Sequence, residues 1–227
     1  MERLKVLEAK RDAGYRAADE VFEGMVIGLG TGSTVEFTLK KLGDRVAEGL
    51  SIIGVPTSYQ TAMRARQYNI PLTTLDDHIR LDLAIDGADQ VDSAKRLIKG
   101  GGAAHSREKC VADASDRLII VVDKSKVSHQ LDADVPIEVL PFAAALVMRR
   151  LQEIGGEPRI REGVKKDGPV ITDNGNFIID CSFGLIPHPE ELESYLNSLP
   201  GVLASGLFTG YTEKTVVIVG EMEECTR

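Results

Sequence analysis

A chain of 227 residues, 43% hydrophobic and 27% charged, has the make-up of an ordinary globular protein. It is long enough for one large α/β domain or a main domain with a smaller companion. Its net charge of −8 counts against nucleic acid or an anionic membrane surface as a partner, and its longest apolar runs, Leu118–Val122 and Val216–Val219, are strand-sized rather than bilayer-spanning.

Residues 3–22 predict an amphipathic helix with Leu4, Leu7, Ala17, Ala18, Val21 and Phe22 on one side. Met25–Leu29 reads as a short strand running into Gly28-Leu29-Gly30-Thr31-Gly32-Ser33-Thr34, after which a helix continues to about Glu48. A strand at Leu50–Val55, the segment Pro56-Thr57-Ser58, a helix to about Tyr68 and a strand at Leu81–Ile85 follow. Beyond the loop Asp86-Gly87-Ala88-Asp89 and a triple glycine, a helix is expected at 105–115 and a strand at 117–122. Strands alternating with helices of these lengths imply a mostly parallel sheet with helices on both faces. Ligands of such sheets bind at the carboxyl ends of the strands, where all three loops fall, so the loops are expected to converge on one cleft.

The rhythm changes after residue 128. Val135–Leu140, a helix at 141–154, strands near Glu157–Arg161, Val170–Thr172 and Phe177–Cys181, and a helix at 189–198 suggest a small α+β unit, with Asp173-Asn174-Gly175-Asn176 as a hairpin turn. Thr215–Gly220 is a continuous apolar run suited to the buried parallel sheet. The expected organisation is a main domain of residues 1–128 and 205–227 with 129–204 inserted.

Cys110, Cys181 and Cys225 are widely spaced with no Cys-x-x-Cys pair, which fits a reducing, cytoplasmic compartment without a disulfide framework. Cys110 lies among apolar positions of a helix, so core packing is its expected role. The opening residues lack the pattern of a secretory leader. His78, His105, His129 and His188 are scattered, and no pair has metal-ligand spacing.

Three loops carry the chemistry. In the first, Gly28 and Gly30 match the start of a dinucleotide fingerprint, but Ser33 stands where the third glycine belongs and no acidic residue ends the second strand. The hydroxyls of Thr31, Ser33 and Thr34 and the following helix N-terminus suit a small phosphate monoester, with a simple structural cap as the alternative. The second loop, Asp86-Gly87-Ala88-Asp89-Gln90-Val91-Asp92, fits no EF-hand spacing. Its carboxylates can fold a turn or accept protons from sugar hydroxyls. The third runs Lys99-Gly100-Gly101-Gly102-Ala103-Ala104-His105-Ser106-Arg107-Glu108. Three glycines between an ammonium and a carboxylate fit either a surface turn or a site that stabilises an oxyanion and moves a proton.

Thr31-Gly32-Ser33-Thr34, Asp86-Gly87-Ala88-Asp89, Lys99-Gly100-Gly101-Gly102 and Glu108, in this order and at these intervals, resemble the ribose-5-phosphate isomerases of the A type. The resemblance extends through Asp123-Lys124-Ser125-Lys126 and Gly206-Leu207-Phe208, with Gln90 standing where the family usually carries Glu.

It implies a Rossmann-like α/β sheet with an inserted α+β domain, and interconversion of ribose 5-phosphate and ribulose 5-phosphate through a cis-enediolate without metal or other cofactor. Glu108 would shuttle the proton between C1 and C2, Lys99 and the amides of Gly100, Gly101 and Gly102 would stabilise the oxygens, and Asp86 would assist ring opening and hydroxyl protons. Asp89, with Gly87 and Ala88, would position the sugar. Thr31, Gly32, Ser33, Thr34 and Lys126 would bind substrate, with Lys10 as a further phosphate contact. A homodimer or homotetramer is implied, with a phosphosugar as the small-molecule partner. At the N-terminus of its helix Glu108 feels a dipole that lowers its pKa and a desolvation that raises it. A sugar-phosphate sensor and a CoA-transferase of similar architecture are the competing readings. Neither a basic face nor a spare segment for DNA binding is evident.

Overall fold

The computed structural model describes residues 2–221; Cys225 lies outside the described residues. In chain order these form α1 (Glu2–Asp19), β1 (Val26–Leu29), α2 (Val35–Ala47), β2 (Ile53–Pro56), α3 (Tyr59–Gln67), β3 (Leu81–Asp86), β4 (Gln90–Val91), β5 (Leu97–Ile98), α4 (His105–Ala114) and β6 (Ser115–Val122). Then follow β7 (Val135–Val139), α5 (Ala144–Glu153), β8 (Glu157–Ile160), β9 (Phe177–Ser182), α6 (Pro189–Ser198), β10 (Val202–Ser205), β11 (Leu207–Phe208) and β12 (Thr215–Val219). The chain divides into two compact units, one of residues 1–88, 110–127 and 213–227, the other of 89–109 and 128–212. These bounds differ from the expected 129–204 insertion at 89–109, at 128 and at 205–212. The reason is pairing: β5 joins β4 on one side and β11 on the other, which keeps the glycine loop and residues 207–208 in the second unit.

The first unit is a five-stranded parallel sheet in the order β12-β6-β3-β1-β2. Alternation along the strands sends Ile27 and Leu29 of β1, Leu83 and Ile85 of β3, and Ile119 and Val121 of β6 into one core with Val35, Leu39 and Leu42 of α2. From α1 the residues that enter this core are Ala13, Ala17 and Ala18, followed by Val21. Leu4, Leu7 and Phe22 are instead exposed, because the face of α1 that packs is the alanine face, whose small side chains allow close approach. On the other side of the sheet Gly28 and Ala84 leave room for Val111, whose Cγ1 lies 2.3 Å from where a Cβ on residue 28 would stand. Cys110, one position earlier, is exposed rather than in the core. The apolar run at 215–219 forms an edge strand, paired with β6, and Val216 faces outward.

In the second unit a four-stranded antiparallel sheet runs β10-β7-β9-β8. Val135, Ile137 and Val139 of β7 and Ile179 and Cys181 of β9 bury one face against Val147 and Leu151 of α5 and Leu196 of α6. Burial pushes the Cys181 thiol up to about 12, which makes it an inert core residue. The opposite face carries Glu138 and Asp180, to which the site returns. The segment 170–172 forms only isolated bridges, with Ile171 opposite Phe177, since the chain turns at once through the Asp173–Asn176 hairpin signal. No described helix is long and apolar enough to cross a membrane.

His105 opens α4 fully buried, its Nε2 3.1 Å from the Ala204 carbonyl oxygen of β10. Burial lowers its pKa to about 4, against a partial opposing pull from the Ala204 bond. The unfolded chain therefore takes up this proton first, near pH 6.5. The stability that neutral His105 contributes is complete above that pH and is lost as pH falls from 6.5 towards 4, by on the order of 3 kcal/mol across the window. Urea unfolding at pH 7 and pH 5 should show a steeper loss for the native sequence than for His105→Gln. Parallel losses would assign the pH dependence to other groups.

Candidate active site

In the first unit the chemistry gathers at the carboxyl ends of adjacent parallel strands. The loop after β1 carries Thr31, Gly32, Ser33 and Thr34 into α2, β3 ends on Asp86, and the turn after β6 carries Lys126. Asp86 is buried, and its Oδ1 accepts the backbone N–H groups of Thr31 at 3.1 Å and Gly87 at 2.8 Å. One carboxylate thus ties the phosphate-type loop to its own Asp-Gly-Ala segment, Gly87-Ala88. The tie demands glycine at position 30, where a Cβ would fall 2.1 Å from Asp86 Oδ1.

Around this tie the hydroxyls take two different roles. Thr31 Oγ1 turns inward to Thr57 Oγ1 at 2.8 Å, Ser58 Oγ at 2.8 Å and Thr61 Oγ1 at 3.0 Å, while Thr61 Oγ1 donates to the Gly30 carbonyl at 2.8 Å. That cluster fixes the loop from below, so the side chain of Thr31 works as an anchor. The Pro56-Thr57-Ser58 segment, which the sequence marked only by its lack of an acidic residue, supplies it. Ser33 is exposed, and its Oγ accepts from Lys10 Nζ at 2.9 Å, which brings an ammonium to the mouth of the loop. Thr34 caps α2 by position, without a side-chain cap bond. The first N–H groups of α2 have no intrahelical acceptor and carry the positive end of its dipole. Lys126, half-buried, ends the short turn that Asp123 caps through the N–H of Ser125 at 2.9 Å.

The second unit brings Lys99 and Glu108 together. Lys99 follows β5 directly and Glu108 sits in the first turn of α4, both almost wholly buried, with Nζ and Oε2 3.1 Å apart. The Lys99 backbone N–H donates to the Gly206 carbonyl at 2.8 Å. Phe208 lies between two cations, its ring centroid 5.5 Å from Lys99 Nζ and 4.8 Å from Lys109 Nζ. Lys109 is held in turn by Glu193 at 2.6 Å and the Leu207 carbonyl at 2.7 Å.

Between Lys99 and α4 the backbone is forced. Gly100 has φ +108, and a Cβ there would meet His105 Nδ1 at 2.6 Å; Ala103 takes φ +57, a left-handed conformation costly for a residue with a Cβ. Asp89 Oδ2 accepts the Gly101 N–H at 2.7 Å, so that amide serves the loop itself.

Further residues that the sequence did not single out hold this loop. Arg161 donates from one guanidinium nitrogen to the carbonyls of Gly100 at 2.9 Å and Gly101 at 3.1 Å, while Asp180 grips its other edge through Nε at 2.8 Å. Asp92 serves structure, accepting the N–H groups of Ala94 and Arg96 and pairing with Arg96 Nε at 2.7 Å. Gln90 is explained by its neighbours: Oε1 caps the N–H groups of Asp132 and Ala133, and Nε2 donates to the Asp132 carboxylate at 2.6 Å. A glutamate there would set two carboxylates against each other. Among the described residues no group of three or more His, Cys, Asp or Glu is arranged to hold a metal ion.

The profile of the family described as Ribose 5-phosphate isomerase A (phosphoriboisomerase A) matches residues 53–224. Ribose-5-phosphate isomerase A of Methanoregula boonei is 59% identical over 221 residues, 97% of this chain and 93% of that protein. The structure of ribose 5-phosphate isomerase A from Methanocaldococcus jannaschii superposes with a TM-score of 0.89 at 44% identity, covering 94% of each chain. A D-ribose-5-phosphate isomerase in complex with phospho-erythronic acid does so with a TM-score of 0.91 at 44% identity, covering 95% of each. On this identity over nearly its whole length, the chain belongs to the ribose 5-phosphate isomerase A family.

Proposed function

We propose that this chain interconverts D-ribose 5-phosphate and D-ribulose 5-phosphate, within pentose phosphate metabolism, by proton transfer through a cis-enediolate. The observation that carries this reading is the buried Lys99–Glu108 pair at 3.1 Å beside the glycine loop. An aldose–ketose shift needs one base on one face of the enediolate and fixed positive charge where oxygen becomes anionic. A module that only senses a sugar phosphate has no use for a carboxylate buried against an ammonium. Family membership likewise sets the CoA-transferase reading aside.

In the proposed cycle Glu108 takes the C2 proton of the open-chain aldose, and the electron pair of that bond forms the C1–C2 double bond as the C1 carbonyl oxygen becomes anionic. Lys99 and the amides of the Gly100-Gly101-Gly102 loop stabilise that oxygen. Asp86 moves the hydroxyl protons and assists ring opening, and Glu108 returns its proton to C1 to give the ketose. Asp89, with Gly87 and Ala88, orients the sugar. The N-terminal end of α2, with Thr31, Gly32, Ser33, Thr34, Lys10 and Lys126, takes the phosphate. Phospho-erythronic acid, bound by the related isomerase, joins a phosphate to a planar, delocalised carboxylate, which supports an enediolate-type ligand class here. The same reading makes the chain a cytoplasmic homodimer or homotetramer, with no nucleic-acid or membrane partner.

Glu108→Gln keeps the shape and removes the base, so kcat should fall about 10²–10⁴-fold while ribose 5-phosphate still binds. Retention of more than roughly a tenth of native kcat would take Glu108 out of the role. Lys99→Ala should act on kcat as well, since it removes charge stabilisation that develops in the transition state; an effect on KM alone would make Lys99 a ground-state contact.

The phosphate assignment is tested by Ser33→Asp. A carboxylate at residue 33 would pair with Lys10 and repel the dianion, raising KM for ribose 5-phosphate about 100-fold, or ~3 kcal/mol. Turnover of unphosphorylated ribose should change far less. An unaltered KM for the phosphorylated sugar would place the phosphate elsewhere.

Lys99 fills the place a Lewis acid takes in metal-dependent isomerisation. Exhaustive dialysis against EDTA should therefore leave kcat unchanged, whereas loss of activity restored by Mg²⁺ or Mn²⁺ would recast Asp86 and Asp89 as ligands.

A further inference from the structure

A second cluster of buried polar groups lies in the same unit and is not used by the proposed cycle. Glu138 is wholly buried near the end of β7, flanked by Ile137 and Val139. A carboxylate in such a place must be fully partnered. Its Oε1 accepts Thr172 Oγ1 at 2.7 Å, Asn176 Nδ2 at 2.9 Å and Asn174 Nδ2 at 3.1 Å. Burial works to raise its pKa, and the hydrogen bonds from the Thr172 hydroxyl and the amides of Asn176 and Asn174 outweigh that, leaving it below its ordinary value.

The turn that supplies these donors also grips α4 from outside. Arg107 donates from Nε to Asn174 Oδ1 at 2.7 Å and from its terminal nitrogen to the Asp173 carbonyl at 2.9 Å. The Asn174 amide is therefore a relay, donating to the Glu138 carboxylate and accepting from the Arg107 guanidinium. Arg107 is the residue immediately before Glu108. An apolar side chain at position 138 would serve stability at least as well, because a buried charge repays its desolvation poorly. What the cluster adds is a fixed geometry for the first turn of α4.

We infer that Glu138 and the Thr172–Asn176 turn are positioning elements for Glu108, holding the first turn of α4 through Arg107 so that the carboxylate keeps its reach for proton transfer. This rests on Glu108 being the base. Proton transfer tolerates little displacement, and a misplacement of about 1 Å can cost on the order of 100-fold in rate.

The test is a double-mutant cycle on the full chain, with ribose 5-phosphate as substrate and circular dichroism to verify folding. Asn174→Ala should lower kcat by about tenfold or more and change KM by less than about twofold. In the Glu108→Gln background the same substitution should cost nothing further, because a positioning residue has no effect once its object is gone. Arg107→Ala, on a half-buried side chain, should show the same split, and it carries the test if Asn174→Ala does not fold. Native kcat in folded Asn174→Ala and Arg107→Ala, a loss confined to KM, or an equal loss in both backgrounds would each overturn the inference. Full activity of Glu108→Gln alone is a separate outcome, which removes the base and the positioning role with it.

Discussion

An ammonium and a carboxylate held 3.1 Å apart and out of water are the constraint around which the second unit is organised. Each charge costs several kcal/mol to desolvate, and their mutual attraction offsets this only when the geometry is good. Apolar side chains in both places would give a simpler core, so stability alone does not account for the pair. Its upkeep is distributed. Gly206 fixes the Lys99 backbone, the Phe208 ring faces its ammonium, and Glu193 with the Leu207 carbonyl engages Lys109 on the same ring. On the glutamate side, α4 begins after a left-handed Ala103 and opens on a buried His105, which together set where its first turn lies.

The proposed phosphate site in the first unit meets a different constraint, since the chain carries a net charge of −8. Positive potential there is local. It comes from a helix N-terminus and the Lys10 ammonium beside Ser33, while the one buried carboxylate of the loop, Asp86, faces backbone N–H groups. Below the loop the Thr31, Thr57, Ser58 and Thr61 hydroxyls form a closed set, so the loop arrives preorganised.

Much of this was legible because it is local. Glycine and aspartate loops after short apolar strands are written in consecutive residues, and their order alone carried the family resemblance. The parallel sheet followed from β-branched runs spaced by helix-length segments. Long-range partnerships were not legible. Glu138 stands in an apolar run that reads only as a strand, and its partner Thr172 lies 34 residues away. Arg161 lies 61 residues from Gly100, with nothing in its neighbourhood to distinguish it from a surface cation. Asp173-Asn174-Gly175-Asn176 did announce a turn, but turn chemistry accounts for its backbone and is silent on the side chains of Asn174 and Asn176. Misreadings had the same origin: of the face expected on α1, Ala17, Ala18 and Val21 are in the core but Leu4, Leu7 and Phe22 are not, and Cys110 sits on the outer side of α4.

The grip of Arg161 on two successive carbonyls has a consequence through covalent geometry. A trans peptide is planar, with its C=O and N–H pointing to opposite sides. Clamping the oxygens of Gly100 and Gly101 therefore aims the N–H groups of Gly101 and Gly102 without touching either. Glycine supplies the contortion that a loop here requires, at the cost of stiffness; a guanidinium far along the chain, braced by Asp180, restores the stiffness from behind. Flexibility in the sequence and rigidity in the fold are thereby assigned to different residues.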